Sequence, residues 1–242
     1  MFVKALPSAF TIGNLFLGII SIILAFNDEF GLAAILVIVG MLLDGLDGRI
    51  ARALDVCSEF GRELDSLSDV ISFGVAPAFI MYGVILHELG WIGMMITSIF
   101  PICGALRLAR FNVMTTNPNY FVGLPITAAG GILATMALYH NLIPASRVFL
   151  PIAMVGLSYL MISRIKYPNF KKVGIPRAAY WIIPVLAAFV TFVFVYYPEQ
   201  ASKLIFLPLA LYALYGLKKN YSSRKKKREV IVQDSYDSKF EM

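Results

Sequence analysis

Runs of about 20 apolar residues, each long enough to cross the hydrocarbon core of a bilayer as a helix, follow one another through most of this chain. They lie at 9 to 26, 31 to 54, 62 to 86, 91 to 112, 123 to 140, 148 to 163, 179 to 197 and 204 to 217. Hydrophobic residues make up 59% of the 242, charged residues only 15%, and the mean hydropathy is +0.75. That balance excludes an ordinary soluble domain. The expected fold is therefore an all-α integral membrane bundle of about eight transmembrane helices over residues 1–217. A basic, polar cytoplasmic tail over 218–242 is expected to be disordered. The first run has Lys4 ahead of it, but no small-residue cleavage site follows, so it reads as a retained helix rather than a secretory signal.

Positive charge near span ends stays on the cytoplasmic side. With the N-terminus inside and an even number of spans, only Arg147 and Lys203 of the 21 Lys and Arg fall outside. Both termini are thus expected in the cytoplasm, and the protein in the cell membrane. The cluster RKKKR at 224 to 228 would attract anionic headgroups or simply anchor this topology. Nothing suggests a nucleic-acid partner. Two cysteines, Cys57 and Cys103, are too few for a disulfide framework or a thiolate metal site, and both are expected to be reduced.

Against this apolar background stand four aspartates. Asp44 and Asp47 lie near the end of the second run, Asp65 and Asp69 near the start of the third. A carboxylate at bilayer depth costs about 2.5 to 3.5 kcal/mol, so four together require compensation. Spacings of three and four place Asp44, Asp47, Gly48 and Ala51 on one helix face, and Gly61, Asp65, Ser68, Asp69 and Ser72 on one face of the next. Oxygen donors without nearby His or Cys suit a hard cation such as Mg²⁺ or Mn²⁺, singly or as a pair of ions. Two other readings compete. The acids could pair with Arg49, Arg52 or Arg62 and only stabilise the bundle, or they could line a cation pathway. The broken helices in paired repeats that transport sites usually show are absent from the pattern.

The segment from Asp44 to Asp69 reads D-x2-D-G-x2-A-R-x8-G-x3-D-x3-D, with Asp44, Asp47, Gly48, Ala51, Arg52, Gly61, Asp65 and Asp69 at the fixed positions. It resembles the signature of the CDP-alcohol phosphotransferases in every one of them. The segments LPSAFTIGNLFLG, SDVISFGVAPA, GALRLARFN and GLPITAAG extend the similarity over about the first 130 residues, toward the integral-membrane branch that uses free serine. The resemblance implies transfer of phosphatidyl from CDP-diacylglycerol to the hydroxyl of L-serine, giving phosphatidylserine and CMP. It further implies that Asp44, Asp47, Asp65 and Asp69 ligate two divalent cations, Mg²⁺ or Mn²⁺, and that Asp69 is the general base. Gly48, Arg52 and Ser58 would contact the CDP moiety, with Thr11 and Asn14 in the same pocket or serving as helix–helix contacts. A homodimer in the lipid bilayer is the implied assembly.

The acceptor site is less sharply marked. Arg107 and Arg110, three apart, could offer a guanidinium to a carboxylate or phosphate, with Asn112 assisting, or could merely set topology. Glycerol 3-phosphate and inositol phosphate are alternative acceptors for the same chemistry, each calling for more positive charge in the pocket.

Overall fold

The computed structural model describes residues 2–56, 58–113, 120–143 and 145–168. Helices α1 (Phe2–Phe26), α2 (Phe30–Ala53), α3 (Glu59–Val84), α4 (Trp91–Val113), α5 (Ile126–Leu138) and α6 (Ser146–Ile162) correspond to the first six expected spans. Among the described residues, four helices, within α1 to α4, are long and apolar enough to cross a membrane. The chain is thus a mostly helical, multi-pass membrane protein. The expected spans at 179 to 197 and 204 to 217, and the tail, lie outside the described residues.

Two details depart from the expected pattern. A short antiparallel ribbon pairs β1 (Tyr120–Val122) with β2 (Lys166–Pro168), Phe121 opposite Tyr167. The fifth helix begins at Ile126 rather than at 123. Gly123 there adopts φ +82°, with its N–H donating to the Ile165 carbonyl at 2.8 Å, and Pro125 takes the N-cap at φ −57°, ψ 139°. A glycine at positive φ followed by a proline turns the backbone and delays the helix.

Small residues set the helix spacing, as expected where lipid offers no hydrophobic drive for association. Gly40 of α2 lies against Asn14 of α1, and Ser21 donates to the Ala33 carbonyl at 2.9 Å. On α3, Ser68 donates to the Thr11 carbonyl at 3.2 Å and Ser72 to the Asn14 carbonyl at 3.0 Å. Gly130 of α5 sits against the Phe73 backbone; a Cβ there would lie 2.8 Å from the Phe73 Cα. The core of Phe73, Ile80, Met81, Phe100 and Leu133 fills the centre. Opposite faces, such as Ile12, Phe16, Ile19 and Ile23 on α1, stay exposed at helical spacing, as a lipid-facing stripe must.

A π-helical turn at Val70–Val75 interrupts α3 immediately after Asp69. Its extra residue per turn lets the helix present Asp65 and Asp69 on one face and still bring Ser72 and Phe73 onto α1 and α5.

Candidate active site

The connection between α2 and α3 is short and tightly hydrogen-bonded, and this brings the two halves of the acidic motif together. Val56 N–H returns to the Ala51 carbonyl at 3.0 Å, Asp55 takes φ +53°, and Ser58 caps α3 by accepting the Gly61 N–H at 3.0 Å. Asp44, Asp47 and Asp65 then each offer one carboxylate oxygen, all within 4.8 Å of one another. Asp69 is buried, in hydrogen-bond contact with Asp44 and within electrostatic reach of Asp65 and Arg107. Asp47, also buried, accepts a 2.8 Å hydrogen bond from the Thr11 hydroxyl.

Two unit negative charges this close repel by about 3.5 kcal/mol or more at an effective dielectric of about 20. Carboxylates so placed need a cation or a proton between them. The donor set of carboxylate oxygens fits a hard divalent ion in size and charge. Of the arginines weighed as neutralising partners, Arg62 pairs with Glu63 at 3.7 Å, Arg49 is exposed, and Arg52 folds over Gly48.

Beside the acids opens a cavity of about 420 Å³, lined by Thr11 of α1, Asp47, Gly48 and Arg52 of α2, and Ser58, Arg62 and Asp65 around the start of α3. It combines two guanidinium groups, metal-competent carboxylates and a glycine surface. Those are the elements needed to hold a diphosphate-bearing group. Four of the five residues expected around the nucleotide, Gly48, Arg52, Ser58 and Thr11, line it. The fifth, Asn14, does not: it is fully buried one turn deeper, with neither side-chain polar atom hydrogen-bonded and its Oδ1 toward Gly40.

The expected acceptor residues separate. Arg107 is buried, lies 5.4 Å above the Phe111 ring and stands in electrostatic reach of Asp69. Arg110 instead donates to the Ile162 carbonyl at 3.0 Å, tying α4 to the end of α6. Asn112 donates to Glu63 at 3.2 Å and to Ser66 at 3.0 Å, bridging α4 to α3. Sequence reasoning missed Pro7 and Ser8, which line the cavity one turn before Thr11, and it missed Glu63 and Ser66. Helical spacing from Thr11 carried the signal for the first two; the others needed the partner helix.

Residues 4–160 match the model of the family described as CDP-alcohol phosphatidyltransferase. The chain belongs to that family, whose members are transferases of phospholipid synthesis. Among curated relatives, it is 41% identical over 217 residues to the CDP-diacylglycerol–serine O-phosphatidyltransferase of Helicobacter pylori, covering 87% of this chain and 89% of that one. It is 41% identical over 167 residues to the protein of the same name from Bacillus subtilis, covering 69% of this chain and 92% of that one. An archaetidylserine synthase from Methanothermobacter thermautotrophicus is 38% identical over 177 residues, covering 72% of this chain and 74% of its own length.

Proposed function

We propose that this chain transfers the phosphatidyl group of CDP-diacylglycerol to the hydroxyl of L-serine, releasing phosphatidylserine and CMP. The observation that carries the reading is the convergence of Asp44, Asp47, Asp65 and Asp69 beside a cavity furnished with Arg52 and Arg62. Relatives named for serine transfer in both bacteria and an archaeon support serine as the acceptor.

Arg52 and Arg62 pair with the phosphates, Gly48 admits the nucleotide close to the backbone, and Ser58 and Thr11 border it. The acyl chains remain in the bilayer. Two divalent cations, Mg²⁺ or Mn²⁺, held by the four aspartates would offset the charge of the diphosphate and of the departing CMP. Asp69 accepts the proton of the serine hydroxyl as its oxygen forms a bond to the β-phosphorus and the bond from that phosphorus to the CMP oxygen breaks. A buried carboxylate can do this because the proton moves as the new bond forms. Arg107, beside Asp69, takes the serine carboxylate. The active site faces the cytoplasm, both termini lie on that side of the cell membrane, and the protein acts as a homodimer.

The test is CMP release by the purified chain in detergent with CDP-diacylglycerol and, in turn, serine, glycerol 3-phosphate or inositol phosphate. Serine-dependent CMP release with formation of phosphatidylserine is expected. Turnover with a phosphorylated acceptor and none with serine would overturn the acceptor; no CMP release with any acceptor would return the acids to a transport or structural role.

A further inference from the structure

A serine acceptor brings an ammonium group as well as a carboxylate, and a buried or half-buried ammonium needs acceptor atoms around it. The cavity beside α1 and α2 is furnished for phosphate. On the side of α3 that meets α4 the chemistry differs: Glu63 and Ser66 of α3 face Asn112 of α4, with Arg107 and Asp69 one to two turns deeper. Glu63 can only accept, so its contact fixes the Asn112 amide with nitrogen toward Glu63 and Ser66. The Asn112 Oδ1 that remains is buried and has no hydrogen-bond partner. An orphaned carbonyl oxygen beside a carboxylate is a place for an N–H-bearing cation.

Glu63 and Asp69 are six residues apart on α3, about 9 Å along the helix axis and about 120° around it, so Glu63 stands on the flank that meets α4 rather than on the face of the acidic cluster. Glu63 is half-exposed, so an acceptor arriving from water meets it before reaching Asp69. Arg110 is committed to the Ile162 carbonyl, and the Glu63 carboxylate, paired with the exposed Arg62 at 3.7 Å and with the Asn112 amide at 3.2 Å, is the acid an ammonium would meet beside the Asn112 Oδ1.

We infer that Glu63, together with the Asn112 Oδ1, binds the ammonium group of the acceptor and makes the enzyme selective for an amino acid over phosphorylated alcohols. The inference rests on the serine reading above and adds the residues that enforce it.

Glu63→Gln tests it, because glutamine keeps the length and can still accept from Asn112 while losing the charge. In CMP-release assays on the purified chain, the KM for serine rises about 10- to 100-fold, the KM for CDP-diacylglycerol stays within twofold, and Glu63→Asp recovers part of the loss. A serine KM within twofold of the unsubstituted chain would overturn the assignment. So would a parallel rise in the KM for both substrates, or a fall in kcat at constant serine KM, since either marks a structural contact. If the unsubstituted chain releases no CMP with serine, the serine reading fails first and this assignment with it.

Discussion

The Thr11 hydroxyl is the point at which α1 enters the acidic cluster, and replacing it isolates one interaction. Thr11 and Asp47 are buried, and the hydroxyl donates to Asp47 Oδ2 at 2.8 Å, with a second, longer contact to the Pro7 carbonyl at 3.2 Å. Thr11→Val preserves the branched shape, and the backbone carbonyl that receives Ser68 is untouched. The loss is therefore one charge-assisted hydrogen bond that orients a metal-competent carboxylate. Such a bond contributes about 1.5 to 3 kcal/mol, which corresponds to roughly 10- to 150-fold in an equilibrium constant. Loss of a partner that orients a metal ligand has effects of this order on affinity or activity. CMP release at saturating CDP-diacylglycerol and serine, titrated with Mg²⁺ or Mn²⁺, should show a half-saturating concentration raised by about that factor. Thr11→Ser, which keeps the donor, should recover most of it. Half-saturation and turnover within twofold of the unsubstituted chain would refute the reasoning, as would a serine variant as impaired as the valine one.

Asp69→Asn should bind CDP-diacylglycerol with little change while turnover falls about 10²- to 10⁴-fold, the range for loss of a general base; near-full turnover would remove Asp69 from that role. Chelation should abolish CMP release, with recovery on adding Mg²⁺ or Mn²⁺, and chelator-insensitive turnover would contradict the metal assignment. Gly130→Val should lower the thermal midpoint in detergent by the equivalent of about 1 to 3 kcal/mol or more, because the Phe73 backbone occupies the space its side chain needs. Gly156→Ala is the matched control: no atom lies within 4 Å of its added methyl, and helix propensity favours alanine by up to about 1 kcal/mol.

Much of the site was legible in the order of residues because it is built from local helical spacing. Asp44 with Asp47, and Asp65 with Asp69, share faces through offsets of three and four, and the short 54–58 connection returns one face onto the other. Gly48 shares the face of Asp44 and Asp47 by the same periodicity, whereas Arg52 and Ser58 came from the family resemblance, and the structure sets all three around one cavity. Asn14 shows where this reasoning stops. Its offset of three from Thr11 puts it on the correct face of α1 but one turn deeper, where α2 closes over it at Gly40.

Composition and span length dictated a helical membrane bundle, since backbone groups in lipid must be satisfied within each helix whatever the neighbours are. The acidic spacing dictated which carboxylates share a helix face for the same local reason. Which helices meet was a matter of tertiary packing alone. Gly130 admitting the Phe73 backbone and the separate commitments of Arg107, Arg110 and Asn112 depend on contacts between residues 38 to 57 positions apart in the chain. No helical period reaches across such distances. Only the packed bundle set Glu63 and Ser66 of α3 against Asn112 of α4.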